Sequence, residues 1–389
     1  MYNVKLMNKI SSNGLNRLPS DLFTCGADVQ NPAALLVRSA DLHSEEFNPE
    51  LLCIARAGAG VNNIPLDRAA EAGVVVFNTP GANANAVKEL VLTGLFLSSR
   101  KVAEGIEWAK TLKESGDEVG KLVEKGKGQF VGPEIAGKTL GVIGLGAIGV
   151  LVANAAERLG MTVLGYDPYL SVDAAWSVSR NIRHCTDINE IYEKSDYITI
   201  HVPATPETAG MINAATISVM KDDVRILNFA RGTLVNTDDI LKALYDGKVA
   251  KYVTDFPDAK LIDVPNVIAL PHLGASTPES EENCAVMAVD ELKNYILRGN
   301  IKNSVNFPTV CMPMNGVCRL CVLHKNVPNT VNNITWEISA LGLNIANMQN
   351  ASKRDWAYTV IDLDNDADEA IIEKISALPA VVRARLIRK

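Results

Sequence analysis

The sequence predicts an α/β fold of open parallel sheets, followed by a smaller α+β module. Three observations predict it. Short apolar runs alternate with helix-patterned segments through most of the chain. Three glycines in G-x-G-x-x-G spacing, Gly144, Gly146 and Gly149, stand between one such run and a helix. Residues 316–389 read strand, helix, strand, strand, helix, strand, a ferredoxin-like pattern.

The first element group, residues 1–95, reads as a small α/β unit. Ala33–Val37, Leu51–Arg56 and Val74–Phe77 are apolar runs suited to buried parallel strands, with a helix over Pro65–Ala72 ended by Gly73. Arg38-Ser39 closes one strand and Arg56-Ala57-Gly58-Ala59-Gly60 the next. Open parallel sheets place ligands beyond their strand C-termini, where a small-residue loop can aim backbone N–H groups at an anion. For Arg38 and Arg56, an anion site and a surface ion pair fit the sequence equally well. Asn83–Ala109 then keeps helical spacing through Val87, Leu90, Val91, Leu95 and Val102, as one long helix or two joined. Residues 114–128 are charged and glycine-bearing and read as exposed.

Thr139–Ile143 is a short apolar strand leading into the three glycines. Gly144 permits the tight turn, Gly146 lets backbone approach a pyrophosphate, and Gly149 lets the following helix pack closely on the sheet. The helix N-terminus offers unpaired N–H groups and partial positive charge to phosphates. Thr162–Tyr166 is the second strand, and Asp167 ends it eighteen residues after Gly149. Its carboxylate can accept ribose hydroxyls and repels a 2′-phosphate, which favours NAD over NADP.

Four further strands follow, and each ends in a polar cluster. Tyr197–Val202 ends at Pro203, Arg225–Phe229 at Ala230-Arg231-Gly232, Lys251–Thr254 at Asp255, and Asn266–Leu270 at Pro271-His272-Leu273-Gly274. These clusters share one sheet edge with the glycine loop, so a nicotinamide and a substrate would meet there. Hydride transfer from a secondary alcohol needs a base for the hydroxyl proton and a cation for the carboxylate and developing carbonyl. A neutral imidazole and a guanidinium supply these, and His272 and Arg231 are of those types. His201, also at a strand end, reads as structural.

Composition narrows the possibilities. The 389 residues suffice for two or three domains, and 47% hydrophobic content can build real cores. The net charge is −7 with no basic block, which argues against nucleic acid as partner. No apolar run could span a bilayer, MYNVKLMNK lacks a signal-peptide core, and seven scattered cysteines fit reduced thiols. A cytoplasmic location without a membrane partner is expected.

The glycines with Asp167, then HVPATPET (201–208), NFARGTLVN (228–236), Asp255 and PHLGAST (271–277), resemble the D-2-hydroxyacid dehydrogenases. VRSA (37–40), RAGAGVNNI (56–64) and FNTPGAN (77–83) resemble the D-3-phosphoglycerate dehydrogenases among them. The resemblance implies a Rossmann NAD-binding domain (96–280) inserted in a flavodoxin-like substrate domain (1–95 and 281–305). It implies NAD as cofactor, held by Gly144, Gly146, Ala147, Ile148, Gly149, Asp167, Val202, Pro203, Ala230, Asp255 and Gly274. It implies Arg231 as substrate anchor and His272 as acid/base. Gly58, Ala59 and Gly60 would help hold the substrate carboxylate, with Arg38, Ser39 and Arg56 placed to meet a phosphate. A homodimer or homotetramer with contacts near Asn83–Ala109 is implied as well.

One departure stands out. The family carries D-V-F-x-x-E-P, whose glutamate pairs with the histidine. This chain reads Asp255-Phe256-Pro257-Asp258-Ala259-Lys260, with no glutamate, and Asp258 is the nearest substitute. The implied activity is NAD-dependent oxidation of 3-phospho-D-glycerate to 3-phosphohydroxypyruvate, opening L-serine synthesis. Two alternatives are a dehydrogenase for another D-2-hydroxy acid or glyoxylate, and an NAD-binding sensor or scaffold with weak catalysis.

Before the C-terminal module, Asn303–Asn315 reads as a linker rich in Pro and Asn, with the domain linker proper set at residues 306–315. Beyond it, HKNVPNT (324–330) and LGLNIANM (341–348) resemble the regulatory ACT domain, which implies L-serine binding by His324, Asn326 and Asn344. The family's glycine after Pro328 is Asn329 here. Cys318-x-x-Cys321 invites a zinc reading, but strand alternation sends the two thiols to opposite faces, so no metal site is expected.

Overall fold

The computed structural model describes residues 1–389, which form two compact units: Met1–Asn83 with Pro278–Lys389, and Ala84–Thr277. The expected boundary near residue 95 lies instead after Asn83. The helix Ala84–Ser99 belongs to the second unit because Val87, Val91 and Leu95 are buried in that unit's core. No helix is long and apolar enough to cross a membrane.

The first unit begins with a parallel sheet of β1 (Tyr2–Leu6), β2 (Phe23–Gly26), β3 (Ala34–Val37), β4 (Cys53–Arg56) and β5 (Val75–Phe77). Its order, β2-β1-β3-β4-β5, is the flavodoxin-like one. Central β3 is buried along its length, so its residues are all apolar. β1 and β2 carry polar residues, which the sequence pattern did not resolve as strands. One face packs Leu35, Val37, Ile54 and Val76 with Leu42 and Ala69. The other packs Leu36, Ala55 and Phe77 against the 21-residue helix Pro278–Arg298, through Ala285, Ala288, Leu292 and Tyr295.

The second unit holds seven parallel strands: β6 (Thr139–Ile143), β7 (Thr162–Tyr166), β8 (Arg183–His184), β9 (Tyr197–Ile200), β10 (Val224–Asn228), β11 (Val249–Thr254) and β12 (Val267–Ala269). Their order is β12-β11-β10-β9-β6-β7-β8, so the direction of winding reverses between β6 and β9. That reversal opens a crevice beyond the strand C-termini, the place where such sheets take ligands.

The C-terminal module is an antiparallel sheet of β13 (Cys318–Lys325), β14 (Ile345–Lys353), β15 (Trp356–Leu363) and β16 (Val381–Arg388), in the ferredoxin-like order β14-β15-β13-β16. Its helices, Thr330–Ala340 and Ala370–Ser376, cover one face over Cys318, Leu320 and Val322. The other face is buried as well: Cys321, Leu323, Tyr358 and Val360 join the core that contains Cys53, Phe77 and Tyr295. Cys318 and Cys321 therefore sit on opposite faces.

The expected linker is packed rather than free. Phe307 and Val310 are fully buried, and Ile301 pairs with Val310. Asn306 accepts the Val76 N–H at 2.9 Å and donates to the Val74 carbonyl at 2.9 Å, continuing the edge of the first sheet. A Pro- and Asn-rich composition gave no warning of this, because much of the anchoring is by backbone, as where the Val305 N–H donates to the Val76 carbonyl at 2.9 Å.

Glu291, in the helix Pro278–Arg298, is buried, and only its Oε1 is partnered, by the Asn303 amide at 2.7 Å. Burial pushes its pKa up to about 8, against weaker opposing effects of Asn303 and Lys302. The folded chain therefore keeps a proton that the unfolded chain releases above its ordinary carboxylate range. Stability from this group is lost as pH rises from about 4.5 towards about 8. The Glu291→Gln variant should show a flatter dependence of Tm on pH across that window than the parent protein; parallel curves would contradict the assignment.

Candidate functional site

The glycine loop is built as its spacing requires. Gly144 has φ +91°, and a Cβ there would lie 2.6 Å from the His201 carbonyl oxygen. At Gly149 a Cβ would lie 1.9 Å from the Gly144 oxygen, so the helix Ala147–Arg158 can start this close only with glycine. Gly146 faces open space, and no side chain caps the helix end that begins with Ala147 and Ile148. Asp167 clasps the loop: one oxygen accepts the Leu145 N–H at 2.8 Å and the other the Tyr169 N–H at 2.8 Å. An uncapped helix start, clearance at Gly146 and a fixed carboxylate at the end of β7 together fit a dinucleotide pyrophosphate and ribose.

His201, which follows β9, lies against Gly144, as does Val202. Its Nε2 pairs with the Thr199 hydroxyl at 2.9 Å, and burial pushes its pKa down to about 4. It is a neutral structural imidazole.

The reactive types gather beyond β10, β11 and β12. Asn228, fully buried, accepts the Ala230 N–H and donates to the Arg231 carbonyl at 2.8 Å, fixing the turn that presents Arg231. The Arg231 guanidinium is exposed, bonds the Ala230 carbonyl at 2.6 Å and lies over the Phe256 ring, 5.5 Å from its centroid. The His272 ring packs on the same phenyl ring, with centroids 4.4 Å apart and planes tilted by 50°. Asp255 is 2% exposed and its Oδ1 has no hydrogen-bond partner. Burial raises its pKa, while His272 and Arg231 pull it down, so this carboxylate lies within electrostatic reach of both. Gly274 closes the turn: a Cβ there would come to 3.6 Å from the Asp255 Oδ2.

Asp258 is not the histidine's partner in this structure. It is exposed, and its oxygens accept the Thr237 hydroxyl at 2.9 Å and the Lys260 N–H at 2.9 Å. No hydrogen bond or ion pair joins it to the imidazole. Sequence reasoning passed over Asn228 and Phe256; the signal for Phe256 was its place between the strand-ending Asp255 and a backbone-restricting proline.

In the first unit, Asn8 Oδ1 accepts the backbone N–H groups of Arg38, Ser39 and Ala40 at 2.8, 3.0 and 3.1 Å, shaping the end of β3. Arg38 pairs with Glu281 at 2.7 Å. Arg56 is half-buried, its Nε unpartnered, and its Nη1 lies over Gly58, where a Cβ would come within 2.5 Å. Burial lowers the Arg56 pKa, and the positive charge of Arg38 lowers it further. In the C-terminal module His324 is buried, with Nδ1 on the Lys325 carbonyl at 2.8 Å and Nε2 on the Thr359 hydroxyl at 2.9 Å. Asn326 donates to the Arg354 carbonyl and Asn344 to Asp364. Asn329 takes φ +67°, the left-handed conformation for which asparagine best replaces glycine.

Comparison with known proteins agrees with this geometry. Residues 96–274 match the family described as D-isomer specific 2-hydroxyacid dehydrogenase, NAD binding domain. The D-3-phosphoglycerate dehydrogenase of Escherichia coli K12 is 32% identical over 351 residues, 87% of this chain and 82% of that protein. Those of Methanocaldococcus jannaschii and Synechocystis are 38% and 35% identical, over 72% and 71% of this chain. The match spans only 53% and 49% of those two longer proteins. Among solved structures, a D-lactate dehydrogenase from Treponema pallidum superposes with TM-score 0.64 at 21% identity, over 78% of this chain and 99% of that one, which shows the shared fold.

The chain therefore belongs to the D-isomer-specific 2-hydroxyacid dehydrogenases, in the D-3-phosphoglycerate dehydrogenase family. Its cofactor is NAD. Replacing the clasp, Asp167→Ala should weaken NADH binding by about tenfold and narrow the preference over NADPH, because both the ribose acceptor and the charge that repels a 2′-phosphate are lost. Fluorescence titration with both nucleotides checks this; an unchanged ratio would contradict it.

Proposed function

We propose that this protein oxidises 3-phospho-D-glycerate to 3-phosphohydroxypyruvate, the step that opens L-serine synthesis. The observation that carries the reading is the cluster Arg231, Asp255 and His272 at the sheet edge that also carries the glycine loop. Arg231 is a bidentate donor for the substrate carboxylate and the developing carbonyl. His272 takes the hydroxyl proton as the carbon–hydrogen bond breaks. Bound NAD supplies the hydride acceptor. In the substrate unit, Arg38 and Arg56 repel each other and offer their charge to a phosphate, which distinguishes this substrate from unphosphorylated D-2-hydroxy acids.

A second copy of the chain is part of the proposal. The helices Val102–Lys110 and Val119–Gly126 bury no residue within the chain, Val102 and Ile106 are exposed apolar side chains on the first of them, and Phe96 is another near the end of the preceding helix. An L-serine effector would meet Asn326 and Asn344 rather than the His324 imidazole, whose nitrogens are both engaged.

The test is NADH formation from 3-phospho-D-glycerate at alkaline pH with the keto product removed. We expect turnover that His272→Ala lowers by about a hundredfold or more. Arg38→Ala should raise KM for the phosphorylated acid and leave KM for D-lactate or D-glycerate unaffected. Equal effects on both would count against phosphate recognition. NAD binding without turnover of any D-2-hydroxy acid would support the sensor reading instead.

A further inference from the structure

The site lacks the carboxylate that would orient its histidine, yet the imidazole is not loose. Asp258 is committed to Thr237 and Lys260, and His272 forms no hydrogen bond or ion pair with any carboxylate. What touches the His272 ring is Phe256, at 4.4 Å between centroids. The same ring carries the Arg231 guanidinium on it at 5.5 Å. One phenyl group thus contacts both groups that the proposed reaction needs.

Phe256 is itself firmly placed. Its N–H donates to the Thr254 hydroxyl at 3.1 Å, at the end of β11. Pro257 restricts its backbone to an extended conformation. Gly232, the residue after Arg231, lies beside it: a Cβ there would be in ordinary van der Waals contact, 3.4 Å from the Phe256 Cβ and carbonyl oxygen. The phenyl ring is therefore a fixed surface between two loops that follow different strands, β10 and the segment after β12.

We infer that Phe256 is a positioning residue of this enzyme, its ring setting the His272 imidazole and the Arg231 guanidinium relative to one another in place of an orienting carboxylate. The inference rests on the proposed hydride-transfer reaction for its catalytic consequence, but not for its geometry. An aromatic face holds a guanidinium by cation–π attraction and an imidazole by tilted ring packing. Neither contact uses up a hydrogen-bonding group, so the imidazole nitrogens and the guanidinium N–H groups not bonded to the Ala230 carbonyl stay available to the substrate. Asp255, the buried residue before Phe256, interacts electrostatically with both and bonds directly to neither.

The experiment compares Phe256→Leu, which keeps apolar bulk but removes the ring, with Phe256→Tyr, which keeps the ring; Phe256→Met replaces the leucine variant should that fail to fold. In the full chain, Phe256→Leu should lower kcat by about tenfold to a hundredfold through misplacement of the acid/base group, with the dissociation constant of NADH within about twofold of the parent. Phe256→Tyr should recover most of kcat. Independently of any substrate, the His272 ring protons, assigned by their absence in His272→Ala, should show a ring-current shift that is lost in the leucine variant and kept in the tyrosine variant. A leucine variant with parental kcat and an unchanged His272 resonance would overturn the inference. A protein that turns over no hydroxy acid, yet loses the shift on Phe256→Leu, would refute the proposed reaction and leave the positioning role standing.

Discussion

The backbone carbonyls at the end of one helix decide how the first unit is built. The helix Pro278–Arg298 ends with acceptors that no residue of its own can satisfy. The C-terminal sheet satisfies them. Arg385 donates to the Ile296 carbonyl at 3.0 Å and to that of Tyr295, Arg319 to Arg298 at 2.7 Å, and the Tyr358 hydroxyl to Gly299 at 2.6 Å. Two guanidinium groups at a helix C-terminus also complement its dipole. Arg319 is in turn paired with Asp362, both fully buried, at 2.6 Å. Removing one member of such a buried pair costs about 3–5 kcal/mol, because the other charge is left without compensation. The C-terminal module is consequently part of the core of the unit that contains the Arg38 and Arg56 loops, and not a tethered appendage.

The chemistry depends on a different constraint, the alignment of parallel strand ends. Because β6, β9, β10, β11 and β12 run in one direction, the loops that follow them share one edge. The glycine turn, Asn228 with Arg231, Asp255 with Phe256, and the His272 turn are all products of that alignment. Each loop is fixed by a local device: the Asp167 clasp on Leu145, the Asn228 amide on the Ala230–Arg231 turn, Thr254 and Pro257 around Phe256. The site is thus preorganised by backbone contacts, one of which is the bond from the Arg231 guanidinium to the Ala230 carbonyl.

Much of this was legible in the sequence. The tight geometry at Gly144 and Gly149 follows from their spacing, because a close backbone approach depends on the absence of side chains, and absence is visible in a sequence. Buried strands such as β3 and β9 were legible as unbroken apolar runs. β1 and β2 were not, since half-exposed strands such as YNVKL mix polar and apolar residues. The linker reading failed at Asn306, whose bonds to Val74 and Val76 lie across more than two hundred residues of chain. Asp258 was named as the nearest substitute for the family's glutamate from its place in the motif, but spacing does not record which groups a side chain bonds, and here these are Thr237 and Lys260. Phe256 was invisible because a phenylalanine beside a strand end usually means only core.

The measurement that tests the account most directly follows the hydride itself. The protein would be incubated with NAD and 3-phospho-D-glycerate carrying deuterium at C2, and the nicotinamide of the product examined by mass spectrometry and NMR. The account predicts deuterium at C4 of NADH, one atom for each keto acid formed. Deuterium released to water, or NAD bound with no label transferred, would contradict a direct hydride transfer at this site.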